Sequence, residues 1–265
     1  YKNNIQGNSG NDIIDGGNEY DIATYSGNFS DYTFTISNKK VTVVDNRLST
    51  NDGTDTLSNI EKLTFADKNA LVTSKEVKGI TSLGFKSEKV YSGKSDTYKF
   101  YDLGSDKYGV ETSNGIDELT GSSILKFDDK NMHLVNDVKA TFDQVTGLNT
   151  DSGKMFRLYN ASFKRLPDPD GLRYWIGNFS SGKDDERAIA SSFLASDEFK
   201  QRYGENLSDS IYVNTLYKNV LGRDADTGGL NYWLGQLNSG AETRYEVLLG
   251  FSESAENKGL FTEMT

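Results

Sequence analysis

The apolar positions of the chain follow two different periods, one in each half. In the first half, apolar and polar residues alternate in short runs such as residues 32–36 (YTFTI) and 41–43 (VTV). This alternation is typical of half-buried β-strands, and the Gly, Asn and Asp clusters between the runs predict turns. In the second half, Met155, Leu158 and Tyr159 follow the three- and four-residue spacing of an amphipathic helix. We therefore expect a multidomain protein with a β-rich N-terminal half and an all-α C-terminal half.

The β-rich half contains an internal duplication. Residues 25–34 (YSGNFSDYTF) recur 66 positions later as residues 91–100 (YSGKSDTYKF), and residues 53–69 recur at an offset of 62 as residues 115–131. One copy of about 50 residues buries little surface by itself, so the copies are expected to pack together or to extend one sheet. The duplication predicts two related β-modules, at residues 25–80 and 81–136.

The helical half contains a second duplication. Residues 165–182 (RLPDPDGLRYWIGNFSSG) align without gaps with residues 223–240 (RDADTGGLNYWLGQLNSG), at an offset of 58. Self-similarity at a fixed offset is typical of stacked structural repeats. We expect two stacked helical repeats of two or three short helices each, preceded by a linker helix that ends near Gly147. The predicted boundaries are 137–150 for the linker, 151–208 for repeat 1 and 209–265 for repeat 2.

The composition indicates which classes of molecule could bind the chain. The 265 residues carry a formal net charge of −10 and include no cysteine, two prolines and 26 glycines. Such an acidic chain is repelled by nucleic acid and by anionic membranes, whereas divalent cations and neutral or cation-bridged polymers suit it. The lack of cysteine excludes disulfides and thiolate metal sites. No apolar run of about 18 residues occurs, so we expect no membrane insertion.

Two glycine-rich nonapeptides open the chain. Residues 7–24 (GNSGNDIIDGGNEYDIAT) are close to GGxGxDxUx and resemble the hemolysin-type calcium-binding repeats of RTX proteins. The resemblance implies a short parallel β-roll at residues 1–24 and Ca²⁺ as a cofactor, a cation that prefers hard oxygen ligands. Because Glu19 and Tyr20 depart from the pattern, a capping turn without metal is the alternative. The implied ligands are the carboxylates of Asp12 and Asp21 and the carbonyls of Gly7, Ser9, Gly16 and Asn18.

Two further resemblances concern location. Residues 20–72 look like the β-module that follows such calcium-binding repeats in large secreted proteins. Residues 155–257 resemble an uncharacterised helical repeat of bacterial S-layer-like and adhesin-like exported proteins. These resemblances imply an extracellular place on the bacterial cell surface and type I secretion, without a cleaved N-terminal signal in this sequence. We interpret the start at Tyr1 as a boundary or a processing site within a longer protein.

Paired aromatic residues recur in the two helical repeats, as Tyr174-Trp175 and Tyr232-Trp233. Aromatic faces stack on pyranose rings, so these four residues are candidate contacts for a polysaccharide. Adjacent residues on a helix point about 100° apart, so one of each pair can face the core. The alternative is that the pairs only build the repeat core.

Charged residues also recur together in the helical repeats. Arginine followed by aspartate and, 33 residues after the arginine, glutamate predicts ion pairs that fasten each repeat; binding of an anionic ligand is the alternative. The aspartates additionally suit helix N-caps. The residues are Arg165, Asp168 and Glu198 in repeat 1, and Arg223, Asp226 and Glu256 in repeat 2.

Other acidic positions give weaker signals for calcium. Residues 168–171 and 224–229 faintly resemble a calcium loop but lack its final glutamate. The repeated aspartates of the β-modules fit hairpin turns first and a second calcium site only as an alternative. These aspartates are Asp55, Asp117, Asp67 and Asp129.

Nothing in the sequence predicts an enzyme. His133 is the sole histidine, no phosphate-binding or dinucleotide-binding glycine motif is present, and the prominent aspartates occur in tandem. We expect a non-catalytic, calcium-stabilised extracellular module for S-layer-like assembly, adhesion or polysaccharide attachment, with cell-surface polysaccharide and self-association as possible partners. A carbohydrate-binding appendage of a larger secreted enzyme and an inert structural spacer are the alternatives.

Overall fold

The structure is a computed structural model that describes residues 2–49 and 51–265. It confirms the expected division into a β-rich N-terminal half and a helical C-terminal half. Tyr1, and with it the interpretation of the chain start, lies outside the described residues. The strands are β1 Asn4–Ile5, β2 Ile13–Asp15, β3 Ile22–Thr24, β4 Tyr32–Ser37, β5 Lys40–Asp45, β6 Thr54–Ser58, β7 Lys62–Thr64, β8 Asn69–Val72, β9 Val77–Phe85, β10 Glu88–Val90, β11 Phe100–Asp102, β12 Tyr108–Thr112, β13 Gly115–Thr120, β14 Ile124–Lys126 and β15 Asn131–His133.

The helical half contains nine α-helices within the described residues. A π-helix at Leu134–Lys139 runs into the short α1, so the linker helix begins earlier than expected and ends well before Gly147. The helices are α1 Ala140–Phe142, α2 Asp151–Phe163, α3 Pro169–Ser180, α4 Glu186–Ala195, α5 Asp197–Tyr203, α6 Asp209–Val220, α7 Thr227–Ser239, α8 Arg244–Ser252 and α9 Ala255–Met264.

The chain forms two compact units. The first holds the described residues up to Gly84 together with Gly109–Leu119, and the second holds Phe85–Tyr108 and Thr120–Thr265. The residues of the second β-copy are therefore shared between the units. The two units follow spatial contacts and do not coincide with the copies of the duplications. The domain boundaries expected from the duplications therefore stay predictions.

The first unit opens as parallel stacked strands. Strand β1 pairs in parallel with β3, and β3 with β7, while β2 pairs in parallel with β6 in a second sheet. Within this unit one sheet runs β1-β3-β7-β8-β9-β13-β12 and the other runs β2-β6-β5-β4. Ile14, Ala23, Leu57 and Leu63 point into the core between them. The two nonapeptides thus begin a stack that the β-module continues.

An aromatic trio recurs in the two β-copies. In the first copy, the rings of Tyr25 and Tyr32 lie 5.5 and 5.0 Å from that of Phe65. In the second, the rings of the equivalent Tyr91 and Tyr98 lie 5.4 and 5.1 Å from that of Phe127. Aromatic pairs at these separations stabilise a core beyond their buried area. The sequence duplication therefore reproduces a specific packing arrangement as well as a strand pattern.

Each helical repeat contains four α-helices, one more than the largest number expected. The extra helix arises because Ser196 caps the seven-residue α5 directly after α4 ends, and Ser254 caps the ten-residue α9 shortly after α8 ends. The eight N-caps are all Ser, Thr or Asp, residues that accept the unpaired N–H groups of a first turn. They recur at the offset of 58: Thr150 and Ser208, Asp168 and Asp226, Asp185 and Thr243, Ser196 and Ser254.

The two repeats are stacked, since α2 packs on its counterpart α6 and α4 on its counterpart α8. A buried arginine also joins them. Arg157 in α2 donates from Nε and Nη2 to Glu253 at 2.9 and 2.7 Å, and from Nη1 to the carbonyl of Leu148 at 2.6 Å. Its guanidinium lies 5.0 Å from the ring centre of Phe261. Thr215 and Ala195 stand at the equivalent positions, so the duplication does not repeat this contact.

Glycine is required at one repeated position of the β-half, because the backbone of another segment comes close to it. Gly53 has a φ of +95°, and a Cβ atom there would overlap the carbonyl oxygen of Gly10. The equivalent Gly115 has a φ of +118° and abuts the carbonyl oxygen of Gly79 in the same way. A side chain would push neighbouring strands apart in either copy.

We expect Gly53→Ala to lower the free energy of unfolding by about 3 to 5 kcal/mol, because backbone strain and a steric clash add. The matched control is Gly84→Ala, where φ is +58° but no atom lies within 4 Å of the added carbon. Its cost is expected to be about 1 kcal/mol, from backbone strain alone. Urea denaturation followed by circular dichroism measures both; equal losses would contradict the close approach.

Candidate functional site

Backbone amides of the nonapeptides donate hydrogen bonds to acidic side chains of neighbouring turns and strands. The amide of Asn3 donates to Asp21 Oδ1 at 2.6 Å, and the amide of Asp21 donates to Glu61 Oε2 at 2.7 Å. Beside the paired strands β2 and β6 of the second sheet, the amide of Asp12 donates to Asp55 Oδ1 at 2.9 Å. Each carboxylate therefore accepts the N–H of the corresponding residue in the preceding turn, and charge assistance strengthens such bonds.

One oxygen of each predicted carboxylate ligand is buried without a hydrogen-bond partner among the described residues. These atoms are Asp12 Oδ2 and Asp21 Oδ2. A Cβ atom at Gly7 would lie 2.8 Å from the first, and one at Gly16 would lie 2.7 Å from the second. A buried carboxylate oxygen without a partner is unfavourable, and a bound cation would offset that cost. Each turn therefore offers a calcium ion one carboxylate oxygen that no hydrogen bond among the described residues occupies.

The six predicted calcium ligands fall into two groups. Gly7 lies beside Asp12, and Gly16 lies beside Asp21, whereas Ser9 and Asn18 are exposed in the turns between. The described residues contain no cluster of three or more Asp, Glu, His or Cys side chains suited to a metal. Backbone carbonyls would thus have to supply most of the ligands at either turn.

Asp55 and Glu61 are the neighbours of these turns that the nonapeptide pattern does not include. Burial raises the pKa of Glu61, and the charge of Asp21 raises it further. Burial likewise raises the pKa of Asp55, with the charges of Asp12 and Asp52 adding to it. Asp55 stood out only as a repeated turn residue, and Glu61 carried no sequence signal, because its role depends on which strand stacks on β3.

A second buried cluster lies in the first unit around Arg47. Its Nη2 lies 2.6 Å from Asp45 Oδ2 and 3.2 Å from Asp52 Oδ2, and the hydroxyl of Tyr32 donates to Asp52 at 2.5 Å. The hydrogen bond from Arg47 lowers the pKa of Asp45 to about 2. The guanidinium offsets one of the two negative charges and links Asp45, at the end of β5, to Asp52, two residues before β6. Tyr32 recurs in the second copy, but Asp45, Arg47 and Asp52 did not stand out as repeated positions.

The repeated aspartates at the module turns bind backbone. Asp67 accepts the amide of Phe29 at 2.7 Å, and the equivalent Asp129 accepts the amide of Ser95 at 2.7 Å. Asp55 accepts the amide of Asp12, as described above. Asp67 and Asp129 thus hold backbone at the module turns, in line with the first of the two interpretations, whereas Asp55 lies within β6 and holds the nonapeptide turn.

The structure brings together each predicted set of charged residues in the helical repeats. Arg165 donates to both oxygens of Glu198 at 2.6 and 2.9 Å, and Arg223 donates to both oxygens of Glu256 at 2.8 Å. Asp168 and Asp226 lie 3.7 and 3.5 Å from these guanidinium groups. Each aspartate also accepts an amide of the helix it caps, from Gly171 and Gly229 respectively.

The aromatic pairs divide their two rings between core and solvent. Trp175 lies 5.1 Å from Phe193, and Trp233 lies 5.5 Å from Phe251, so both indoles pack inward. The tyrosines beside them face outward, with Tyr174 54% and Tyr232 55% exposed. The tyrosines are therefore the more exposed residues of each pair, while both indoles are partly buried.

No helix within the described residues is long and apolar enough to cross a membrane.

Comparison with known proteins gives few relatives. A family model described as "Domain of unknown function (DUF4214)" matches residues 190–261, which extend from α4 to α9 and do not include the nonapeptides. No curated protein matches. Among solved structures, the crystal structure of extracellular lipase LipA from Serratia marcescens is similar at 10% identity with a TM-score of 0.24. That similarity covers 45% of this chain and 36% of the lipase chain.

The Asp45 cluster predicts a pH dependence of stability. The folded pKa of Asp45, about 2, lies below its ordinary value of 3.8, so its contribution is complete above the ordinary value and disappears as the pH falls through the folded one. Asp45→Asn should therefore destabilise the protein by about 1 to 3 kcal/mol near neutral pH and progressively less towards pH 2. Thermal denaturation at successive pH values measures the difference, and a constant difference would contradict the prediction.

The two arginine–glutamate pairs offer a matched comparison. Lysine keeps the positive charge but cannot donate the paired hydrogen bonds of a guanidinium. The side chain of Arg165 is 18% exposed and that of Arg223 is 39% exposed, so water compensates the loss better at Arg223. We expect Arg165→Lys to cost about 1 to 2 kcal/mol and Arg223→Lys less than about 1 kcal/mol in urea denaturation. A larger loss of stability in Arg223→Lys than in Arg165→Lys would show that burial of the arginine does not determine the cost.

Proposed function

We propose that this chain is a non-catalytic, calcium-stabilised extracellular module of the bacterial cell surface, which serves S-layer-like assembly, adhesion or polysaccharide attachment. The observation that carries the proposal is the pair of buried, partnerless carboxylate oxygens at Asp12 and Asp21, each set against a glycine. Oxygen ligands of this kind suit calcium, and extracellular calcium is abundant enough for weak sites. The likeness of residues 7–24 to RTX repeats supports the extracellular setting and type I secretion.

In this proposal Asp12 and Asp21 each give a carboxylate oxygen to one ion, and carbonyls of the turns at Gly7, Ser9, Gly16 and Asn18 complete the two sites. A bound calcium ion would neutralise the carboxylate and cross-link the turn. The glycines carry no side chain, which leaves room for the carboxylates of Asp12 and Asp21 to lie against the turns. Asp55 and Glu61 would hold the backbone of the aspartates, so that each carboxylate is already oriented before calcium arrives.

The use of the other polar groups supports a non-catalytic role. The arginines and carboxylates that recur in the helical repeats bind one another or cap helices. Groups committed to structural partners in tandem copies favour a scaffold over one reaction centre.

A carbohydrate-binding appendage of a larger secreted enzyme is the second candidate. The observation that favours it is the outward orientation of Tyr174 and Tyr232 at equivalent positions of the two repeats. Exposed aromatic rings of this kind suit stacking on sugar rings.

The calcium proposal predicts selective stabilisation of the first unit. At calcium concentrations ten to a hundred times the dissociation constant, stabilisation of about 1.4 to 2.7 kcal/mol is expected. Asp12→Asn and Asp21→Asn should each reduce it, because an amide oxygen carries no charge. Asp15→Asn is the control, since Asp15 is exposed and already bonded to Asn59 and Gly17.

Two signals separate the halves of the intact protein during melting. Both tryptophans, Trp175 and Trp233, lie in the helical half, so their fluorescence reports that half alone. Infrared absorption in the β-sheet part of the amide I band reports mainly the other half. Chelation should lower the melting temperature of the β-rich half and leave that of the helical half unchanged. Identical melting of both halves with and without chelator would refute the calcium proposal.

A further inference from the structure

A groove of about 720 Å³ lies between the two helical repeats, and we refer to it as the inter-repeat groove. Repeat 1 contributes the end of α3 and the start of α4, and repeat 2 contributes α7, the loop after it and α8. Phe179 and Trp233 provide aromatic surface. The charged lining consists of Asp185, Glu186, Arg187, Glu242 and Glu246.

Trp233 is held rigidly in this groove. Its ring packs on Phe251 at 5.5 Å, and Gly250 makes room for it, because a Cβ atom there would lie 2.5 Å from the edge of the indole. Ser192 stands at the position equivalent to Gly250, so the same room is not left in repeat 1. A fixed indole that lines an open groove can bind an apolar ligand face at little cost in side-chain entropy.

The lining is strongly acidic. Four carboxylates face one arginine, whose Nη2 lies 3.2 Å from Glu246. Lys154 pairs with Glu186 at 3.0 Å, while Glu242 has no side-chain partner among the described residues. Three of the four acids do not come from the duplication, because the counterparts of Asp185, Glu186 and Glu246 are Thr243, Arg244 and Ala188. The fourth, Glu242, corresponds to Asp184. The acidic lining is formed by residues of both repeats together.

We propose that the inter-repeat groove binds an amino sugar, a pyranose with a protonated amine, as one unit of a cationic polysaccharide. Carboxylates accept hydrogen bonds and donate none, so the rim suits a ligand rich in O–H and N⁺–H donors. The apolar face of the pyranose stacks on Trp233, and the ammonium group is attracted by the carboxylates and by the indole. The proposal deepens the polysaccharide-attachment part of the proposed function and does not depend on calcium.

Two other occupants fit the groove less well. A peptide segment would bring as many carbonyl acceptors as amide donors, and Arg187 is the only cationic donor in the lining. The helices that form the walls use their own backbone groups internally, so they offer a peptide no strand to pair with. A second copy of this chain carries a net charge of −10 and would be repelled by an acidic groove.

The test is titration of the full chain with a fully deacetylated glucosamine tetramer, measured by isothermal titration calorimetry. Tryptophan fluorescence of Trp175→Phe, in which Trp233 is the sole indole, locates the binding. We expect saturable binding with a change in fluorescence. Glu242→Gln should weaken it about two- to fivefold, as should added salt, because an exposed charge contact is lost or screened. Asp224→Asn, at an exposed acid outside the groove, should leave the affinity unchanged.

Several results would overturn the inference. These are equal affinity for the N-acetylated tetramer, absence of binding heat, an unchanged affinity in Glu242→Gln, and tighter binding of a lysine tetramer than of the glucosamine tetramer. Calorimetry compares the wild type with Glu242→Gln and needs no tryptophan variant. It therefore tests binding in the groove even if Trp175→Phe does not fold. A calcium titration of the same samples is read separately from melting, so failure of the groove and failure of the calcium sites are distinguished.

Discussion

Hydrogen bonds from backbone amides to acidic side chains hold the turns in both halves of this protein. In the first unit, Asp21, Glu61 and Asp55 accept the amides of the preceding turns. In the helical half, Asp168, Asp185 and Asp226 accept the first free amides of their helices. An amide that lost such an acceptor at a turn would have to find water or remain unsatisfied. The acidic composition is thus partly a structural requirement of the turns and helix starts.

The sequence predicted the features that repetition makes visible. The change of hydrophobic period separated the halves, and the offsets of 66 and 58 located the recurring Tyr25, Tyr91, Arg165 and Arg223. The ion pairs of the helical repeats could be anticipated because arginine and glutamate recur at the same spacing. The role of Ser196 as the cap of a separate helix was harder to see, because α4 and α5 are almost continuous in sequence.

Features that depend on tertiary stacking could not be predicted in this way. Asp12 meets Asp55 across 43 residues, and Asp21 meets Glu61 across 40, because β6 and β7 stack in parallel on β2 and β3. No local pattern encodes that register. The Arg47 cluster and most of the charged lining of the inter-repeat groove likewise depend on residues that the duplications do not repeat. Repetition reveals the scaffold, whereas the surfaces that differ between copies are those where selective binding can arise.

The Arg157–Glu253 contact has a consequence for how the helical half folds. Repeat arrays whose units touch only their neighbours can lose structure one unit at a time. Here an almost fully buried guanidinium in the first helix of repeat 1 is neutralised by a carboxylate 96 residues later, next to the last helix of repeat 2. Loss of the terminal helices would leave that charge uncompensated in the interior, which is strongly unfavourable. We therefore expect fraying from the C-terminus to be coupled to unfolding of the rest of the helical array.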